Sequence, residues 1–290
     1  MGLSQNTIKL IECPRDAMQG IKKFIPTEVK VAYINQLMKI GFNTIDFGSF
    51  VSPKAIPQMR DTAEVLERLD RDLLKKNQLL AIVANLRGAR NACEFPEIKY
   101  LGYPFSISET FQIRNTNATI DESLDRLRDI HELGITSGKE MVVYLSMGFG
   151  NPYGDPWNAD ILIKWAEILH REGIHILMLS DTIGVAKPDS IRYIFEEVIP
   201  QFDQIEFGAH LHSAPHNWME KVESAYNAGC KRFDAAIRGY GGCPMAKDDL
   251  TGNMATENVL YFFDQKDKDL NVDMKEFNSA LNLAAKVFPT

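Results

Sequence analysis

A single (β/α)8 barrel is the fold this sequence predicts, and three observations predict it. Eight short β-branched or apolar runs alternate with longer stretches of helical period. The chain has 290 residues, and such a barrel takes roughly 250. The first run leads into "ECPRDAMQG", without the GxGxxG that opens doubly wound dinucleotide folds. The predicted strands are "IKLIEC" (8–13), "NTIDFGSF" (43–50), "LLAIVAN" (79–85) and "IKYLGYPFS" (98–106). "MVVYLSM" (141–147), "HILMLSD" (175–181), "QIEFGAHLH" (204–212) and "KRFDAAI" (231–237) complete the eight. Helices are predicted over 27–41, entered by Pro26 and Thr27 and stopped by Gly41, and over 119–134, where Thr119 and Glu122 stand at capping-box spacing before Gly134. Residues 155–173 and 216–229 repeat the pattern, each ending on glycine. The tail, 273–289, reads as a closing helix beyond the eighth unit. No linker or low-complexity run intervenes, so residues 1–290 read as one domain.

Composition narrows the function classes. The balance of 45% hydrophobic and 24% charged residues is that of a soluble globular protein, and a net charge of -7 argues against general binding to nucleic acid or anionic membrane. Cys13, Cys93, Cys230 and Cys243 are widely spaced without CxxC pairing, which argues against a disulfide framework and fits a reducing cytoplasm. "MGLSQNTIKL" lacks a secretory pattern, Asn6 stands where myristoylation wants Ser or Thr, and no apolar run approaches a membrane span. A cytoplasmic protein is expected, and from base rates a homodimer.

A barrel builds its site at the C-terminal ends of its strands, and polar residues gather there. Arg15 and Asp16 follow the first run, Asp46 lies in the second, Ser108 and Glu109 follow the fourth, and Asp181 ends the sixth. His210 and His212 lie two apart on the seventh, so both imidazoles face one side and can approach one ion. The alternative is a pair of partly buried histidines bonded to backbone carbonyls. Asp16 and Asn253 can add oxygen ligands, a set suited to Mn, Mg or Zn; each is otherwise a turn or cap residue. Arg15 at a strand end can bind a carboxylate or an enolate oxygen, or close a salt bridge. Asp46 and Asp181 read as supporting carboxylates or as loop caps. Lys22, Lys23 and Lys54 follow the first two strands and can meet phosphates, although loop lysines are usually solvated. Cys93 is predicted to lie in a loop.

One segment stands apart. "RGYGGCPMAKDDLTGN" (238–253) sets Cys243 between a glycine pair and a proline, on a shaped loop between the eighth strand and Asn253.

With "ECPRDAMQ", "SFVSPKAIPQM" (49–59), "SDTIGV" (180–185), "AHLHS" (209–213) and "RGYGGCPMAKDDLTGNMATE" (238–257) in this order, the chain resembles the 3-hydroxy-3-methylglutaryl-CoA lyases over nearly its whole length. The resemblance implies a divalent ion held by Asp16, His210, His212 and Asn253. It implies that Arg15 meets the thioester carbonyl as it becomes an enolate. Cys243 would deliver or relay a proton from a loop closing over the site, Asp181 would support substrate and ligands, and Lys22 would contact CoA. The reaction so implied is cleavage of an acyl-CoA to acetyl-CoA and acetoacetate, with a histidine, Asp16 or a bound water taking the hydroxyl proton. The chain departs from the family pattern at Ala17, at Asp46 in place of glutamate, at Ser180, at Ser213 after the HxH, and in "SMGFGNPYGD". These departures sit around the substrate and the metal ligands. A related synthase or 2-keto-acid aldolase, and a catalytically silent homologue, are the alternatives.

Overall fold

The structure, a computed structural model, describes residues 7–242 and 251–288. Its strands are β1 (Lys9–Glu12), β2 (Thr44–Ser49), β3 (Leu79–Ile82), β4 (Ile98–Ser106), β5 (Glu140–Ser146), β6 (Ile176–Ser180), β7 (Glu206–His210), β8 (His212–Ser213), β9 (Arg232–Ala235) and β10 (Gly252–Asn253). Strands β1 to β7 and β9 form a closed barrel in that order, and parallel pairing of Lys9 to Arg232 through Glu12 to Ala235 closes it. The predicted (β/α)8 architecture and the C-terminal helix, Met274–Val287, are both present.

Two apolar layers hold the cylinder. Leu101, Tyr103 and Phe105 on β4 face the helical coat, while Leu80, Tyr100, Val142 and Met178 fill the interior. The interior leaves no slack: a Cβ on Gly102 would stand 2.5 Å from Ile82 Cδ1, and one on Gly208 would stand 2.3 Å from the Met178 sulfur. Alternation along each strand therefore separates a packed barrel centre from a second core under the helices.

The helix signals are mostly realised. The capping box of Thr119 and Glu122 opens Ile120–Thr136. Gly41, Gly173 and Gly229 adopt φ of +99°, +87° and +101° just beyond their helices, a region other residues enter only under strain. Gly134 differs: the helix continues through it, packed beside Leu101, and the left-handed glycine is Gly138. Cys93 also differs, closing a helix at Leu86–Cys93 capped by the Asn85 side chain, not lying in a loop. The seventh strand ends at His210, and His212 belongs to the separate β8, which pairs antiparallel with β10 so that His212 faces Asn253. No helix among the described residues is long and apolar enough to cross a membrane.

Candidate active site

At the C-terminal end of β1 the chain turns directly into a short helix, Pro14–Gln19, with proline at its first position. This turn buries Arg15 and Asp16 beneath the barrel mouth. The Arg15 guanidinium forks onto Asp46, with Nε 3.2 and 3.1 Å from the two carboxylate oxygens and Nη2 2.5 Å from Oδ2. Its Nη1 reaches Asp16 Oδ1 at 2.9 Å and Gln19 Oε1 at 3.0 Å. Four of the five guanidinium hydrogens are thus engaged, and one on Nη2 is left for a ligand.

Asp16 Oδ2 also accepts the Asn253 amide at 2.7 Å, which ties β10 to the first helix. Burial raises the Asp16 pKa, but Arg15 and the two histidines outweigh it and hold the carboxyl below its ordinary range. Asp46, fully enclosed, is pushed up to about 6 by burial despite Arg15.

His210 and His212 complete the cluster. One ligand atom from each of Asp16, His210 and His212 lies within 4.8 Å of the others, the one such group of three among the described residues. The two imidazoles are set differently. His210 Nδ1 lies 3.0 Å from Asp234 Oδ2, which fixes its ring and leaves Nε2 free. Burial lowers the His210 pKa, yet Asp234 and Asp16 overcome this and raise it. His212 is buried with neither ring nitrogen hydrogen-bonded, and burial, helped by His210, lowers its pKa to about 4. A neutral imidazole with two bare nitrogens beside a carboxylate is a costly arrangement alone. A coordinated cation removes that cost, and the nitrogen–oxygen donors suit a divalent ion.

These groups floor a cavity of about 640 Å³ that Arg15, Asp16, Tyr144, His210, His212 and Gly242 help to line. Ser52, Asn85, Arg114 and Arg126 also line it. Asp46 and Asp181 are fully enclosed and contribute no cavity surface among the described residues. Asp181 instead accepts Ala186 N–H at 3.0 Å and Lys221 Nζ at 2.9 Å. Lys22 is exposed and away from the lining. Cys243 lies outside the described residues.

Three participants escaped the sequence. Asp234 is a carboxylate on β9, and its partnership with His210 depends on register between β7 and β9. Tyr144, edge-on to His210 with ring centroids 5.7 Å apart, reads in sequence as an ordinary strand aromatic. Lys221 left a signal: it lies four residues before Ala225 on the buried stripe of its helix, Trp218–Asn227, where a lysine needs a partner.

Known proteins share this fold. The HMGL-like family model matches residues 8–284. The hydroxymethylglutaryl-CoA lyase YngG of Bacillus subtilis (strain 168) is 34% identical over 267 residues, covering 92% of this chain and 88% of that protein. The crystal structure of the HMG-CoA lyase from Brucella melitensis superposes with a TM-score of 0.90 at 29% identity, over 97% of this chain and 98% of that one. An HMG-CoA lyase from Acenitobacter baumannii, in complex with coenzyme A and 3-methylmalate, gives 0.88 at 29% identity over 99% and 93%. The chain belongs to the HMGL-like family.

Proposed function

We propose that this protein is a divalent-metal-dependent carbon–carbon lyase that cleaves 3-hydroxy-3-methylglutaryl-CoA, or a close 3-hydroxyacyl-CoA analogue, to acetyl-CoA and acetoacetate. The observation that carries the proposal is the bare-nitrogen His212 beside His210 and Asp16 on the cavity floor, in a chain of this family. The relative crystallised with coenzyme A supports an acyl-CoA substrate.

Asp16, His210 and His212 would hold the ion, with the Asn253 amide beside them; the donors suit Mg or Mn, and Zn as well. When bound, it supplies Lewis acidity that draws in the substrate's carboxylate and eases ionisation of its tertiary hydroxyl. The hydroxyl proton passes to a base on the cavity floor, a histidine, Asp16 or a bound water; the adjacent carbon–carbon bond then breaks, and its electron pair leaves on the acetyl-CoA fragment as an enolate while the oxygen becomes the ketone of acetoacetate. Arg15 offers its remaining Nη2 hydrogen to the enolate oxygen. Asp46 keeps that guanidinium charged and oriented through its fork, so it acts as a positioning residue. Asp181 acts likewise through Lys221. Cys243, next in sequence to the cavity-lining Gly242, is the proposed proton donor to the enolate carbon. The cavity-lining Arg114 and Arg126, together with Lys22, are proposed to meet the CoA phosphates.

The free thiols of Cys13, Cys93 and Cys230 support a reducing, cytoplasmic setting, and a homodimer is proposed on the prevalence of two-fold assemblies. The deciding experiment incubates the purified protein with Mg or Mn and a panel of 3-hydroxyacyl-CoAs, assaying acetyl-CoA and the ketone product. Release from 3-hydroxy-3-methylglutaryl-CoA supports the proposal, and silence across the panel sinks it.

A further inference from the structure

The two histidines of the cluster are anchored by different means, and the difference exposes a residue with no assigned role. His210 has a carboxylate on its ring, Asp234. His212 has no side-chain partner at either nitrogen, so packing and its backbone must aim its imidazole. That backbone is gripped twice: by the β8–β10 pairing opposite Asn253, and by Lys221 Nζ, 2.7 Å from the His212 carbonyl oxygen.

Lys221 is buried, with 1% of its surface exposed. Its ammonium has three donors, and they meet three acceptors: His212 O, Asp181 Oδ2 at 2.9 Å and Gly184 O at 3.3 Å. Asp181 in turn donates its backbone N–H to the His210 carbonyl at 2.9 Å. The Asp181–Lys221 pair therefore holds the carbonyls of both histidines, one from each partner. It joins the end of β6, the 181–186 turn and the helix Trp218–Asn227 to the chain on either side of Leu211.

We propose that Lys221 is a positioning residue for the cation site: with Asp181 it sets the spacing and aim of His212 relative to His210, a task a side-chain acceptor performs for His210. The inference rests on the metal reading of the site given above. Removing the ammonium frees the His212 carbonyl, and outer partners of metal ligands are typically worth ten- to a hundredfold in affinity.

The test measures Mn2+ binding to the full-length protein by calorimetry, with thermal unfolding alongside. Lys221→Met should weaken Mn2+ about tenfold or more, and it also strands a buried carboxylate that lowers stability. The double variant Lys221→Met/Asp181→Asn removes that stranded charge. It should recover thermal stability relative to the single variant while keeping the weakened Mn2+ affinity. A well-folded double variant that binds Mn2+ like wild type overturns the inference and leaves the metal reading intact. A wild-type protein that takes up no Mn2+ overturns both.

Discussion

The two ends of the barrel handle charge in opposite ways. At the N-terminal end Glu206 accepts Lys9 at 2.7 Å and Arg232 at 3.4 Å, and Lys99 meets Glu140 at 2.5 Å. Every carboxylate in this group has a cation at hand. In the cluster at the C-terminal end, among the described residues, four buried carboxylates, Asp16, Asp46, Asp181 and Asp234, share two ion-paired cations, Arg15 and Lys221, and the His210 imidazole. Two negative charges are left over next to two imidazoles, one of which lacks any partner. Burying unbalanced charge is expensive; the divalent cation of the proposed function would offset it at this end, whereas the ion pairs at the other end need no such partner. The contrast separates a site built for a ligand from a set of ion pairs that tie strands together.

The most severe way to break the contrast is to remove the carboxylate shared by the cluster. Asp16→Ala should lower Mn2+ affinity by at least a hundredfold and turnover to near background, since it deletes a ligand and also loosens Arg15 and Asn253. Calorimetry and the acetoacetate assay measure the two losses, and near-native Mn2+ binding would refute the ligand assignment. A smaller effect is expected from Asp234→Asn. The ring of His210 keeps a hydrogen-bond partner but loses the charge that secures its orientation, so Mn2+ affinity should fall ten- to a hundredfold. An unchanged isotherm would make Asp234 a bystander.

Much of this was legible in the sequence. Eight β runs and capped helices declared the barrel because alternation and glycine stops are local properties. The spacing of His210 and His212 and the position of Asp16 after the first strand announced a cluster, because the ends of barrel strands converge. What was hidden depended on long-range register. Asp234 meets His210 through the β7–β9 pairing, and Lys221 enters from a helix to bridge Asp181 and His212. Nor does a strand pattern reveal that the chain breaks at Leu211 to pair His212 with Asn253. Gly134 misled for a related reason: tertiary packing carried its helix one turn beyond the local signal.

Between the site and the framework stands Glu12, which accepts Ile237 N–H at 2.9 Å and Thr256 Oγ1 at 2.6 Å, fastening both sides of the segment that carries Cys243 and Asn253. Burial raises its pKa from 4.5 to about 8, with the two hydrogen bonds opposing the rise. The folded state therefore holds a proton that the unfolded chain has released. That contribution is fully present below pH 4.5 and is lost as pH rises through about 8. Glu12→Gln, neutral at every pH, should match wild type near pH 5 and become the more stable protein at pH 8. Parallel melting-temperature profiles across that range would refute the raised pKa.

The mildest prediction tests the framework end alone. Glu206→Gln leaves Lys9 and the buried Arg232 without their carboxylate. Glu206 and Lys9 are partly solvated, with side chains 19% and 29% exposed, which screens the loss. Arg232 is 1% exposed and already has an Nε without a partner, so the variant should lose about 1 kcal/mol rather than nothing. Because the strand starts lie at the opposite end of the barrel from the cluster, kcat and Mn2+ affinity should stay at wild-type values while urea unfolding shifts to a lower midpoint. A fall in kcat with an unchanged midpoint would mean that charge at this end reaches the site, and the separation of the two ends would fail.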